Sequence, residues 1–337
     1  MREINKIYCD NWLNNNLPDK CAKLIIADPP YFEVKGEFDF IWKTFEDYLK
    51  DVEKWAIECK RVLADNGTLF WYGHAKNIAY SQIIFDKIFE LVNNIVWEKT
   101  DCQTNKGIEY FRMFAPITER ILMYQHKDEY HDIVRMAIEE VQKYLNTLTT
   151  KNELAEMLLN IGNCKNIASA KQNAHNILSQ RSAKPQMITE LQYDLIAKDK
   201  MLYSELAALY EIKRIEFDLK RRPFNNFKKL SDVLKFSQQA NISGNYDHDT
   251  IKPEKLTRAL ILTCSRKDDL VVVPFAGSGT ECAMSAKEGR LFIGFDIEQK
   301  HVNTSNERCK IQLQRKNDIK EFGFAKTELS KINPTLF

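Results

Sequence analysis

The sequence predicts an α/β protein with a doubly wound, mainly parallel, Rossmann-like sheet and an inserted helical subdomain. Two observations carry this expectation. Short apolar runs alternate with stretches of helical spacing over residues 1–128 and again from residue 244, and that alternation implies a mainly parallel sheet covered on both faces. Between them, over residues 129–243, glycine nearly disappears and helical segments follow one another. The expected organisation is one discontinuous α/β domain of residues 1–128 and 244–316, a helical insert of residues 129–243, and a peripheral tail of residues 317–337.

The first strand is KLIIA at residues 23–27, which stops at Asp28-Pro29-Pro30-Tyr31 because prolines cannot continue a central strand. Residues 46–63 place Tyr48, Val52, Trp55, Cys59 and Val62 on one helical face. Asp65-Asn66-Gly67 reads as a turn, and TLFWY at 68–72 as a strand of β-branched and aromatic residues. A helix over 78–91 and strands over 94–98 and 120–124 complete the first part. In the insert, helices are expected over 133–148, 151–161, 167–178 and 194–220. Arg221-Arg222-Pro223 ends the last one, since the residue before a proline disfavours helix. Residues 154–161 and 167–178, joined through Gly162-Asn163, fit a helix-turn-helix or, more commonly, a plain helical hairpin.

The α/β pattern returns with a helix over 253–265 and LVVV at 270–273, a buried parallel strand by composition. Then come the loop Pro274-Phe275-Ala276-Gly277-Ser278-Gly279-Thr280, a helix over 281–288, and a strand over 291–295 ending at Asp296.

Composition narrows the class. The chain has 337 residues, 44% hydrophobic and 28% charged, which is ordinary for a soluble globular protein and leaves ample core. A disordered tail, a collagen-like fibre and a small disulfide scaffold are excluded. No apolar run approaches the roughly 18–20 residues that span a bilayer, and residues 1–8 lack a signal peptide's apolar stretch. A cytoplasmic protein without membrane contact is expected. Its 8 cysteines and 6 histidines are scattered with no C-x-x-C pair, so no metal site is expected and reduced thiols are.

The net charge of +2 is an average. Residues 213–235 carry eight Lys and Arg against three acids, net +5, leaving −3 for the remainder. A basic stretch of this kind, with Arg221, Arg222, Lys228 and Lys229, fits phosphate contact, although a solvated helix face would look similar. The loop over 100–116, with Lys106, Tyr110, Phe111 and Arg112, reads as a lid over a polyanion or as a plain surface loop.

Two loops carry the chemistry. Glycines after LVVV let the backbone approach a ligand, and the helix that follows offers free N–H groups. Asp296, at the end of the next strand, can accept from two ribose hydroxyls, so the unit reads as a nucleotide-type cofactor site. No Gly-Lys-Ser/Thr follows, which disfavours a phosphate-gripping loop. In Asp28-Pro29-Pro30-Tyr31, a carboxylate and the rigid Pro29 carbonyl form two acceptors with no donor expected nearby. Such a pair suits an exocyclic amine, and Tyr31 offers a face for base stacking, worth roughly 1–3 kcal/mol. The bland alternatives are a structural tight turn and a Pro-rich turn with a capping Asp.

Together the two loops resemble those of DNA amino-methyltransferases that use S-adenosylmethionine, and their order resembles the β class. Ile7 to Asp10 followed by Leu13 resembles the family's start, whose Asp meets the cofactor adenine. Trp97-Glu98-Lys99, Thr118-Glu119-Arg120-Ile121-Leu122 and His248-Asp249-Thr250-Ile251-Lys252-Pro253 resemble further family stretches. The resemblance implies a catalytic set of Asp28, Pro29, Pro30 and Tyr31. It implies a cofactor set of Asp10, Lys252, Pro274, Phe275, Ala276, Gly277, Ser278, Gly279, Thr280 and Asp296. Double-stranded DNA is then the partner, contacted by Lys106, Arg112, Arg221, Arg222, Lys228 and Lys229, with target recognition in the insert.

The implied reaction methylates the exocyclic N6 of a flipped-out adenine, with Phe32 or Trp42 facing Tyr31 across the base. Methylation of cytosine N4, of RNA or of a protein glutamine is the nearest alternative; Asp rather than Ser before Pro-Pro-Tyr favours adenine in this family. A restriction–modification setting with a cognate endonuclease, and a homodimer, are further implications. One position departs from the family pattern. Val273 stands where an Asp usually helps hold the methionine end of the cofactor. Another acid takes over, or affinity falls, or the chain is a non-catalytic DNA-binding relative.

Overall fold

The computed structural model describes residues 2–34, 39–101, 114–127, 138–139, 141–143, 145–147, 149–160, 162–179, 192, 212, 215–226, 228–238 and 251–314. Side chains alternate across its strands, as the pleat requires, and both faces are buried. Leu24, Ile26, Phe70 and Tyr72 enter one core, while Ile25, Ala27, Leu69 and Trp71 enter the other. The strands are β1 Lys6–Cys9, β2 Ala22–Ala27, β3 Leu63–Gly73, β4 Phe89–Lys99, β5 Thr118–His126, β6 Val233–Phe236, β7 Leu270–Val273 and β8 Leu291–Asp296. They form one sheet in the order β1-β8-β7-β2-β3-β5-β4-β6. Five of the seven pairings are parallel, and β5 runs antiparallel to β3 and β4. The doubly wound, mainly parallel fold is as expected.

The helices are α1 Phe45–Val62, α2 Ile78–Ile88, α3 Lys151–Asn160, α4 Ile167–Leu178, α5 Glu254–Cys264, α6 Thr280–Lys287 and α7 Gln299–Gln314. In α1, the Thr44 hydroxyl accepts from Asp47 N–H, Glu46 and Asp47 lie in the first turn, and Lys60 and Arg61 in the last. That placement suits the helix dipole. The face predicted from spacing is the buried one, with Ala56 added. Helices α1 and α2 cover one side of the sheet through Val52, Cys59 and Phe85. Helices α5, α6 and α7 cover the other through Leu260, Ile261, Met284 and Val302.

Three boundaries differ from the sequence reading. The helix expected to reach residue 91 stops at Ile88, because Phe89 pairs with His126 and stacks on Phe85 in the aromatic core. Asp65-Asn66-Gly67 does not end a strand. Ala22 pairs with Leu63 and Leu24 with Thr68, so these residues form an irregularity inside β3. The insert was expected to last to residue 243, yet β6 pairs in parallel with β4, from Val96↔Val233 to Lys99↔Phe236. The chain therefore rejoins the sheet unit at Arg222. One compact unit takes Met1–Lys127 and Arg222–Ala325, and the other takes Asp128–Arg221.

The second unit has its own core, with Leu154, Ala155 and Leu158 of α3 against Ala170, Ala174 and Ile177 of α4. Gly162 takes φ 70° in the turn, and Asn163 N–H bonds back to the Leu158 carbonyl at 3.1 Å. Asn166 and Ser169 then form a capping box for α4. This turn serves a helix-turn-helix and a plain hairpin alike. Most of the helices expected over 133–148 and 194–220, and the tail from 317, lie outside the described residues.

Candidate active site

Strand β2 lies beside β7 in parallel, with Leu24 opposite Val271 and Ile25 opposite Val272. The Asp28 loop and the glycine loop therefore leave the same edge of the sheet side by side. From β2 the chain proceeds to β3 on one side, while β7 and β8 lie on the other. Such a switch in strand order opens a crevice beyond the carboxyl ends, where ligands bind in sheets of this type.

At the end of β2, Asp28 is held by two donors. The Tyr31 hydroxyl donates to its Oδ1 at 2.5 Å, and Lys252 Nζ lies 3.0 Å from its Oδ2. This corrects the expectation that no donor stands near. Lys252 also reaches Glu119 Oε2 at 3.1 Å, and Lys99 Nζ lies 2.7 Å from Glu119 Oε1. The rings of Tyr72 and Tyr31 lie 5.0 and 5.6 Å from the Lys252 ammonium. Charges alternate along Lys99, Glu119, Lys252 and Asp28, so each buried ion has an opposite neighbour.

Burial opposes ionisation of Glu119, but Lys252 and Lys99 outweigh it and hold the carboxyl down at about 2. Burial likewise opposes the Lys252 charge and is overcome by Asp28 and Glu119, which raise it. The Tyr31 hydroxyl is buried, which pushes its ionisation well above the ordinary phenol value, and the Asp28 and Glu119 charges push it further. It stays a neutral donor. The Tyr31 backbone N–H is anchored by the Asp39 carboxylate, which fixes the loop after the prolines.

The glycine loop runs from Val273 to α6. Gly277 and Gly279 take φ 46° and 71°, and a Cβ on Gly279 would stand 2.6 Å from Ser305 Cβ. Ala276 N–H bonds Phe295 O at 2.7 Å, and Ser305 Oγ donates to Gly277 O at 2.8 Å. From α7, Arg308 donates to Ser278 O at 3.1 Å and to Thr280 Oγ1 at 2.8 Å. Phe275 turns into the opposite core, 5.0 Å from the Trp55 ring, and Pro274 is buried. The loop is thus fastened from α7 and β8.

Asp296 accepts from Gly277 N–H at 2.7 Å through Oδ2 and from Glu298 N–H at 2.9 Å through Oδ1. His301 Nδ1 lies 3.5 Å from Oδ1 as well, and since a carboxylate has about four acceptor sites, at least one remains. Cys9 pairs with Asp296, and Asp10 N–H bonds Asp296 O at 2.9 Å. The two acids expected to meet a nucleoside therefore close adjacent strands. The Asp10 carboxylate pairs with Arg2 and accepts from Asn11 N–H, and the Arg2 contact holds its carboxyl below the usual carboxylate range.

The structure brings Asp28, Pro29, Pro30, Tyr31, Lys252, the 274–280 loop, Asp296 and Asp10 to one edge of the sheet. Lys252 sits at the Asp28 side of that group. Phe32 and Trp42 do not face Tyr31. Phe32 packs on Phe45 at 5.3 Å and Trp42 on Tyr48 at 5.0 Å, on the other side of the sheet from the core that Tyr31 touches.

Arg222 also departs from expectation. It donates to Thr68 Oγ1 at 3.2 Å and lies over the Phe224 ring, a packing role in the sheet unit. Arg221, in the second unit, pairs with Asp218 at 2.6 Å. Lys228 and Lys229 are exposed. Lys106, Arg112 and residues 248–250 lie outside the described residues.

Four residues at the site were not picked out as functional from the sequence: Lys99, Glu119, Tyr72 and Glu281. The first two lie at the ends of adjacent strands, in the stretches Trp97-Glu98-Lys99 and Thr118-Glu119-Arg120-Ile121-Leu122, a signal that could have been read. Glu281 is the one acid in the small, apolar run TECAMSA, whose seven residues are all buried.

A mainly parallel sheet with a glycine loop and two acids beside an acid–aromatic loop suits a nucleotide-type cofactor. Comparison with known proteins specifies the kind. The chain belongs to the N6/N4 DNA methylase family, whose pattern matches residues 22–307. It is 22% identical over 338 residues to the DNA adenine methyltransferase YhdJ of Escherichia coli (strain K12), covering 95% of this chain and 90% of that protein. It is 24% identical over 308 residues to the type II methyltransferase M2.DpnII of Streptococcus pneumoniae, covering 86% and 82%. Among solved structures, the cytosine-N4-specific PvuII DNA methyltransferase superposes with a TM-score of 0.50 at 14% identity, covering 94% of this chain and 88% of that one. The fold is shared with it.

Proposed function

We propose that this chain is a site-specific DNA methyltransferase that moves a methyl group from S-adenosylmethionine to the exocyclic N6 of adenine. The observation that carries this reading is the side-by-side exit of the Asp28 loop and the glycine loop from β2 and β7. It supports a reading in which amine acceptors lie beside a nucleoside site. YhdJ, named an adenine methyltransferase, supports adenine over cytosine, as does Asp rather than Ser before Pro-Pro-Tyr.

The residues present fit that cofactor. Asp296 keeps an acceptor site for the adenosine part, Asp10 lies beside it on the adjacent strand, and Gly277 keeps the loop backbone free of a side chain. When bound, S-adenosylmethionine supplies an electrophilic methyl group on a sulfonium. The protein's part is placement. The target base must leave the duplex stack, at a cost of a few kcal/mol, and Tyr31 offers it a face. Asp28 and the Pro29 carbonyl then accept the two N–H groups of the amine and draw its lone pair out of conjugation. Held in this way, the amine would be aligned to accept the methyl group, and the proton it gives up would pass to water. Lys252, 3.0 Å from its Oδ2, keeps Asp28 aimed. Much of the acceleration comes from alignment.

Double-stranded DNA is the substrate, with Lys228 and Lys229 the described candidates for phosphate contact and the 128–221 unit for sequence readout. A cognate endonuclease, a homodimer and a cytoplasmic location belong to the same reading. No described helix is long and apolar enough to cross a membrane.

The test is methylation of genomic DNA with labelled cofactor, followed by base-resolved mapping. N6-methyladenine at one short sequence is expected, and Asp28→Ala should remove it while the fold stays intact. Methyl groups on cytosine N4 would replace the adenine assignment. Full activity in folded Asp28→Ala would overturn the mechanism.

A further inference from the structure

Glu281 follows the glycine loop directly, in the first turn of α6, and is 4% exposed. Its Oε1 is buried without a hydrogen-bond partner. The groups that face it are Asp28 beyond β2, Tyr72 on β3, Lys252 ahead of α5, Arg308 on α7 and its neighbour Cys282. The two cations among them are engaged elsewhere: Lys252 with Asp28 and Glu119, and Arg308 with Glu254, Ser278 and Thr280. Burial, reinforced by the Asp28 charge, pushes the Glu281 carboxyl up to about 7.

A buried acceptor with no donor is a rare and costly arrangement; a ligand relieves it by bringing a hydrogen to donate, and most strongly when that donor is positively charged. At the neighbouring position where the family usually places an acid, Val273 is apolar and 1% exposed. It can offer nothing to an ammonium group.

We infer that Glu281 receives the α-ammonium group of S-adenosylmethionine, in place of the acid that Val273 lacks. The inference rests on the methyl-transfer reading above and deepens it. The ammonium is the fitting partner because the sulfonium has no hydrogen to donate to Oε1. Because Glu281 is half protonated near neutrality, binding draws a proton off it, and affinity rises with pH through about 7.

Calorimetry on the whole chain tests this, with S-adenosylmethionine and S-adenosylhomocysteine at pH 6 and pH 8 in buffers of different ionisation enthalpy. Both ligands carry the ammonium, and only the first carries the sulfonium. The wild type should bind both more tightly at pH 8 and release a proton near pH 7. Glu281→Gln should bind both roughly 10–100-fold more weakly at pH 8, the range for a lost charged hydrogen bond, with affinity flat in pH. The proton count needs no variant, so it decides even if Glu281→Gln does not fold. Unchanged binding by Glu281→Gln, loss confined to S-adenosylmethionine, or no proton release by the wild type each overturns the inference. A wild type that binds neither ligand, with or without DNA, overturns the methyl-transfer reading itself.

Discussion

Lys252 Nζ stands 3.0 Å from Asp28 Oδ2 and, on its other side, 3.1 Å from Glu119 Oε2. Asp28, the acid proposed to meet the target amine, is therefore one end of a largely buried ion network. Its orientation is fixed before any base arrives.

Removing Lys252 should be costly. Its side chain is 9% exposed and that of Glu119 is 14% exposed. Lys252→Met leaves Asp28 and Glu119 sharing a site with only Lys99 to balance them. Losing one partner of a buried pair typically costs about 3–5 kcal/mol. Denaturant unfolding should show a loss near the lower end, since Lys99 remains. Methylation should fall by more than the folded fraction does, because Asp28 loses its alignment as well.

Stability should respond to pH in two opposed directions. Glu119 is depressed from 4.5 to about 2. Its contribution is present above the unfolded value and is lost as pH falls from about 4.5 toward 2, by about 3 kcal/mol at most. Glu281 is raised from 4.5 to about 7. Its contribution is fully present below about 4.5 and is lost as pH rises through 7, by a similar amount. Unfolding of the cofactor-free protein should thus show a stability maximum on the acid side of neutrality. Glu281→Gln should remove the decline above it and leave the acid limb in place.

How far the sequence foretold this can be seen in particular residues. Residues 23–31 were legible because prolines punctuate an apolar strand, and the glycine loop because two glycines sit between a β-branched strand and a helix. The face of α1 followed from spacing alone. Strand β6 was not legible, since VLKF is four residues of weak pattern, and it becomes a strand only because the β4 edge accepts it. The partners of Asp28 were invisible for a related reason. Lys252 and Glu119 are separated from it by 224 and 91 positions, and no local signal joins them. Glu281 looked like a helix-start acid, and only its burial shows otherwise.

The glycine loop yields a sharper stability test. Gly279 takes φ 71°, and its Cβ would meet Ser305 Cβ at 2.6 Å. Gly279→Ala adds left-handed backbone strain, of order 1–2 kcal/mol, to a clash with packed α7. A drop of about 2–3 kcal/mol is expected from thermal or denaturant unfolding, with weakened cofactor binding. Gly162→Ala is the control. It has the same φ class, 70°, but open space around the added carbon. It should show the strain without the clash, roughly half the loss, and should leave cofactor binding alone.

The basic stretch separates into residues of different duty, and paired variants can tell them apart. Arg222 is bonded to Thr68 and lies over Phe224, whereas Lys228 and Lys229 are exposed. Arg222→Ala should lower stability by about 1–2 kcal/mol through lost packing and a lost hydrogen bond. Its effect on DNA binding should track the unfolded fraction. Lys228→Glu with Lys229→Glu should lower stability less than Arg222→Ala does and weaken binding to duplexes of any sequence. If both lysines meet phosphates, the slope of log affinity against log salt should become shallower by about 2. An unaltered slope would place the phosphate contacts elsewhere, and the exposed pair would then be surface charge and nothing more.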